Sequence, residues 1–102
     1  MDTLKVEVKR AVYEPDYKKI IVRQEFRNVV MFIDDNRIEM TTPTAYKVGM
    51  AIAKAYSNLE EGELIELSIN NKPLQIFGEP ALKLVGKILM SAERADDFQR
   101  IH

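Results

Sequence analysis

The residues that could act as general bases, nucleophiles or metal ligands are few and poorly placed for such work. The only histidine is His102, at the end of the chain, where no fixed geometry is expected for an imidazole, so the commonest general base is nearly excluded. Cysteine is absent, which removes thiol catalysis, thiolate zinc sites and disulfides together. The remaining ligands are carboxylates, which suit hard ions. Asp34, Asp35 and Asn36 look like a fragment of a calcium loop, but the spaced ligands and the distal glutamate are missing. A tight turn explains them, because Asp and Asn tolerate positive φ. Glu60, Glu61 and Glu63 flank a helix stop, and Asp96 and Asp97 sit near the chain end, so neither group reads as a concave acid–base pair. The four glycines, at 49, 62, 78 and 86, match no phosphate-loop spacing. No catalytic residue, metal site or cofactor is expected, and the chain reads as a nonenzymatic binding protein.

Two surface features remain. The segment from Tyr17 to Asn28 carries Lys18, Lys19, Arg23 and Arg27 against Glu25 alone. On a strand Lys19, Arg23 and Arg27 share one face, and Lys5 and Lys9 could join them across a hairpin. With Tyr13 and Tyr17 near the turn, such a face could hold single-stranded nucleic acid by stacking and phosphate contact, or meet an acidic partner. Glu7 and Glu25 interrupt it. The whole chain, with fifteen Lys and Arg against sixteen Asp and Glu, has a net charge of -1, which argues against strong nonspecific binding to nucleic acid or anionic membrane. Solvated charges that protect a strand edge are the default reading. The second feature is apolar: Ile21, Val30, Phe32 and Phe77 fall on the strand faces that point away from the expected helices, where a second copy of the chain would cover them.

The elements that position these groups follow from periodicity. Leu4, Val6 and Val8 alternate with Lys5, Glu7 and Lys9, the pattern of a strand. A turn at Tyr13 to Tyr17 leads to a second strand, giving an expected hairpin of residues 3 to 13 with 17 to 28. Val29, Met31 and Ile33 then alternate, turn at Asp34 to Arg37 and return through Ile38 and Met40. Thr41 or Thr42 caps a helix opened by Pro43, predicted over 43–59 with Ala45, Val48, Ile52, Ala55 and Leu59 inward and Gly62 as its stop. The same grammar recurs: Ile65, Leu67 and Ile69, a turn at Asn70 to Pro73, Leu74 and Ile76, then a helix over about 79–98. That helix is expected to bury Leu82, Val85, Leu89, Ala92 and Phe98, with Leu84 and Ile88 widening the stripe. A shift of 36 residues superposes the two passages, so a hairpin–helix unit repeated over about 29–59 and 65–98 is expected.

Six strands and two helices in the order ββββαββα predict one α+β domain over residues 1–102, a two-layer sandwich whose antiparallel-rich sheet carries both helices on one face. The first ten residues do not resemble an export signal and no long apolar run occurs, so a cytoplasmic setting without membrane contact is expected. In element order alone, the ββββα beginning resembles single-strand-binding folds of the Whirly type. In size class the chain is similar to phage accessory and inhibitor proteins. The expected function is a noncatalytic module that self-associates through its sheet, with a dimer as the first expectation, and binds a protein partner or small ligand. The alternative is a single-stranded nucleic-acid-binding module using Lys5, Lys9, Tyr17, Lys19, Arg23 and Arg27.

Overall fold

A computed structural model describes residues 4–10, 19–33, 36–69, 72–76 and 78–101. The expected turns at Tyr13 to Tyr17, at Asp34 and Asp35, and at Asn70 and Asn71 lie outside these residues, as do Phe77 and His102. The element order is β1 (Leu4–Arg10), β2 (Ile20–Glu25), β3 (Asn28–Ile33), β4 (Asn36–Met40), α1 (Thr42–Ser57), β5 (Glu63–Ile69), β6 (Lys72–Ile76) and α2 (Gly78–Ile101). The α+β class and the ββββαββα order are those expected. The strands divide into two antiparallel three-stranded sheets, β1-β5-β6 and β2-β3-β4.

The expected pairing of β1 with β2 is therefore corrected. β1 lies against β5, with Val6 opposite Leu67, and β2 lies against β3, with Val22 opposite Met31. Residues 17 to 28 do not form one strand. β2 ends at Glu25, Glu25 pairs with Asn28, and Phe26 and Arg27 turn the chain. Phe26 has φ of 55°, the left-handed position that a two-residue hairpin turn usually gives to glycine. Two contacts hold it there: its ring meets Phe98 edge-on at 5.9 Å between centroids, and the Gln99 side-chain amide donates to the Arg27 carbonyl at 3.0 Å. An unbroken strand would put Phe26 on the same side as Ile20 and Val22, but in the turn it is 74% exposed.

Both hairpins obey one register. Val29 pairs with Met40 and Ile33 with Asn36, while Ile65 pairs with Ile76 and Ile69 with Lys72, each 36 residues later. The helices begin at Thr42 and Gly78, separated by the same interval.

Thr41 caps α1 in an extended conformation, accepting a hydrogen bond from the Thr44 amide, and Pro43 occupies the first turn, where its missing N–H leaves no helical partner unsatisfied. The helix closes at Asn58, whose N–H reaches the Ala55 and Tyr56 carbonyls. Gly62 is left-handed, at φ of 82°, but it turns the chain into β5 rather than ending the helix.

One core joins all the layers. Val29, Met31, Ile38 and Met40 from one sheet and Ile65, Leu67 and Ile76 from the other meet Ala45, Val48 and Ile52 of α1 and Ala81, Leu84, Ile88, Ala92 and Ala95 of α2. The packing is crossed: α1 follows β4 but lies mainly over β1 and β5, and α2 follows β6 but lies mainly over β2 and β3. The expected α2 stripe is displaced as a result. Leu82 is 48% exposed and Leu89 and Phe98 are half-buried, while the alanines form the centre of the buried face and permit close approach to α1.

At the far end of the helix pair, the Tyr46 hydroxyl donates to the Asp96 carboxylate at 3.2 Å. Burial first, then the hydrogen bond to Asp96 and the nearby charges of Asp96 and Glu93, holds the phenol above its ordinary value, against an opposing effect of Arg100. A folded-state value raised above the unfolded one contributes stability that is present below about pH 10 and is lost as pH rises through the folded value. Thermal unfolding of the protein is accordingly expected to lose more stability than that of a Tyr46→Phe variant across the alkaline range. Parallel curves for the two proteins would show that this hydroxyl is uncoupled from folding.

Candidate functional site

The outer face of β2-β3-β4 is built in registered rows. Ile21 lies opposite Phe32, which lies opposite Arg37; Arg23 lies opposite Val30, which lies opposite Glu39; Glu25 lies opposite Asn28. Alternation therefore brings four charges of alternating sign around a short apolar line. Arg23 Nε meets Glu25 at 3.0 Å, and Arg37 Nη2 meets Glu25 at 3.1 Å and Glu39 at 3.0 Å. Arg37, then Arg23, holds the Glu25 carboxyl below its ordinary value, and Glu25, then Glu39, raises the Arg37 guanidinium further. The arginines and Glu39 are exposed and Glu25 is only half-buried, so the ladder contributes little to stability. Its geometric effect is larger.

Val30 has no exposed surface although it stands outside the core beneath the helices. Its cross-strand neighbours are Arg23 and Glu39, and the aliphatic stems of such side chains cover apolar surface while their charges stay in water. Phe32 is half-buried, with the Arg23 guanidinium 5.0 Å above its ring, a cation–π contact. Ile21 remains 43% exposed. The contiguous bare patch expected from Ile21, Val30 and Phe32 is thus smaller: Val30 is covered within one chain, and Ile21 with part of Phe32 stays open. Phe77 lies outside the described residues.

The outer face of β1-β5-β6 carries a second ladder. Lys5 meets Glu7 at 2.8 Å, Lys9 meets Glu66 at 2.9 Å and approaches Glu7 at 3.8 Å, and Gln75 donates to Glu66 at 3.3 Å. Lys5 is the main reason that Glu7 is held below its ordinary value, Lys9 does the same to Glu66, and Glu66 raises Lys9 in return. Leu64, opposite Lys9 in register, is buried here as Val30 is on the other sheet.

The expected basic surface is therefore not assembled across a hairpin. Lys5 and Lys9 belong to one sheet and Arg23 to the other. Arg27 sits in the turn after β2 rather than on the strand, Lys19 is exposed just before β2, and Tyr17 lies outside the described residues. Lys5, Lys9 and Arg23 each pair with a glutamate, which removes much of the positive field that a phosphate chain would meet.

Sequence pattern alone does not single out the exposed apolar groups on and beside α2. Phe26, Met90 and Ile101 are 74%, 55% and 78% exposed. Strand parity alone puts Phe26 beside Ile20 and Val22, and helical periodicity does not set Met90 and Ile101 apart. The available signal was the change of inward parity from Ile20 and Val22 to Val29 and Met31, which cannot occur in an unbroken strand and requires a turn between them.

No family model, curated protein or solved structure matches this chain. No helix among the described residues is long and apolar enough to cross a membrane.

Proposed function

We propose that the chain is a noncatalytic binding module that pairs with a second copy of itself through the outer face of β2-β3-β4 and presents its remaining surface to a protein partner or small ligand. The observation that carries this reading is the row of Ile21, Phe32 and Arg37 set within the alternating Arg23, Glu25, Arg37 and Glu39 ladder. Such a face is complementary to itself about a two-fold axis: an arginine can exchange its own glutamate for that of a second copy, while Ile21 and Phe32 are removed from water. On this face Arg37, then Arg23, holds the Glu25 carboxyl below its ordinary value, as expected of a carboxylate within an ion-pair ladder.

The apolar part is small, so the dimer is expected to be weak and concentration-dependent. A cytoplasmic setting, and the role of a small accessory or inhibitor protein, belong to the same reading. Common origin of the two hairpin–helix units is supported by the 36-residue interval shared by strand registers and helix starts. The nucleic-acid alternative has against it the pairing of Lys5, Lys9 and Arg23 with glutamates.

Sedimentation velocity over a wide concentration range is the direct test. The wild type is expected to dimerise, and Ile21→Asp to raise the dissociation constant by about tenfold or more with an unchanged melting temperature. A species that stays monomeric at every concentration, or a dimer indifferent to Ile21→Asp, overturns the reading.

A further inference from the structure

A different surface carries cations that have no ion-pair partner among the described residues. On α2 the residues Lys83, Lys87 and Arg94 are exposed, and among the described residues none of them forms an ion pair. At about 100° per residue, all three fall within about 80° of the helix circumference, together with Met90, Phe98 and Ile101. This arc is turned away from Ile88, Ala92 and Ala95, which are fully buried. Glu93 and Asp97 lie on one flank of the arc and bound it. At its C-terminal end Phe98 carries the Phe26 ring, which extends the apolar surface beyond the helix. The stripe from Lys83 to Ile101 is about 27 Å long.

Resting on the reading of the chain as a noncatalytic binding module, we infer that this stripe binds an acidic amphipathic segment of a protein partner, whose carboxylates meet Lys83, Lys87 and Arg94 and whose apolar side chains cover Met90 and Ile101. Charge complementarity selects the sign of the partner. The outer sheet faces hold their cations beside glutamates, whereas among the described residues Lys83, Lys87 and Arg94 make no ion pair and stand alongside groups that water solvates badly. The apolar members select the class. Met90 is flexible and polarizable and Ile101 is a branched aliphatic group, both suited to leucine- or phenylalanine-like side chains, and among the described residues of this surface only Phe26 offers a largely exposed ring on which a nucleobase could stack. The stripe is narrower than a standard protein interface, so binding is expected in the micromolar range and to weaken with salt.

The test uses the full chain and fluorescence anisotropy with three probes: a labelled helical peptide carrying a leucine stripe flanked by glutamates, the same peptide with glutamine in place of glutamate, and a labelled oligothymidylate. The acidic peptide is expected to bind at low salt, and the glutamine peptide and the oligothymidylate at least tenfold more weakly. The exposed double substitution Lys87→Glu with Arg94→Glu is expected to weaken acidic-peptide binding at least tenfold, and Met90→Ser several-fold, with melting temperatures unchanged. Ile21→Asp, which tests the sheet dimer, is expected to leave it unaffected, so dimerisation can fail while this inference stands. Absence of peptide binding, binding indifferent to Lys87→Glu with Arg94→Glu, or tighter binding of the oligothymidylate overturns it.

Discussion

Ile88→Ala is expected to lower the unfolding free energy by about 3 kcal/mol or more, within the range for truncating a fully buried isoleucine. Ile88 has no exposed surface and belongs to the core shared by both sheets and both helices. It also stands at the helix crossing: a Cβ placed on Gly49 would come within 3.6 Å of its Cγ2. Because the packing is crossed, a cavity there loosens α2 from the β2-β3-β4 sheet and from α1 together. For a chain of this length total stability is on the order of 5–15 kcal/mol, so the loss is a substantial fraction. In chemical denaturation the midpoint should fall with the slope unchanged. A cost below about 1 kcal/mol would mean that the site collapses around the truncated side chain and that the helix pair does not close the core.

The second large effect is expected at Gly49, where two influences of opposite sign compete. In a helix interior, alanine is favoured over glycine by about 1 kcal/mol. A Cβ at this position would lie 2.8 Å from Leu89 Cδ2 and 3.1 Å from its Cγ. Leu89 is only half-buried and the nearer atom is the end of its side chain, so it can yield to one methyl group. Gly49→Ala is therefore expected to be close to neutral. Gly49→Leu has nowhere to go between the helices and is expected to cost about 3 kcal/mol. A double-mutant cycle separates the two influences: once Leu89→Ala has cleared the contact, adding Gly49→Ala should stabilise by about 1 kcal/mol. If the same gain appears with Leu89 intact, the helices are not in close contact at this position.

Local chemistry made much of the architecture legible. Thr41 and Pro43 announced the start of α1, the alternation of Val29, Met31, Ile38 and Met40 announced a hairpin with one buried face, and Ala45, Val48 and Ile52 announced the buried stripe of the helix. Each signal depends on residues close together in the chain, where spacing alone sets which side chains share a face. The absence of cysteine and of an internal histidine is equally plain in the sequence, and it narrows the chemistry whatever the fold.

What lay beyond that reach involved choosing between partners that look alike locally. The alternation in Leu4 to Arg10 suits any antiparallel neighbour, and only global packing sends β1 to β5 instead of β2. A turn at Phe26 and Arg27 carries no glycine to betray it and is held by Phe98 and Gln99, more than seventy residues away. Leu82 and Met90 have the composition of core residues, but α1 and the sheets contact α2 along its alanine line and leave that flank to solvent. Val30 shows the converse, a position of outward parity, in register with Arg23 and Glu39, that is nonetheless buried. The sequence by itself determined the elements, their order and the faces each could bury, because backbone geometry and side-chain periodicity are local. Tertiary structure decided strand partners, the exposed flank of α2 and which cations keep a counter-charge, because those depend on surfaces brought together from distant parts of the chain.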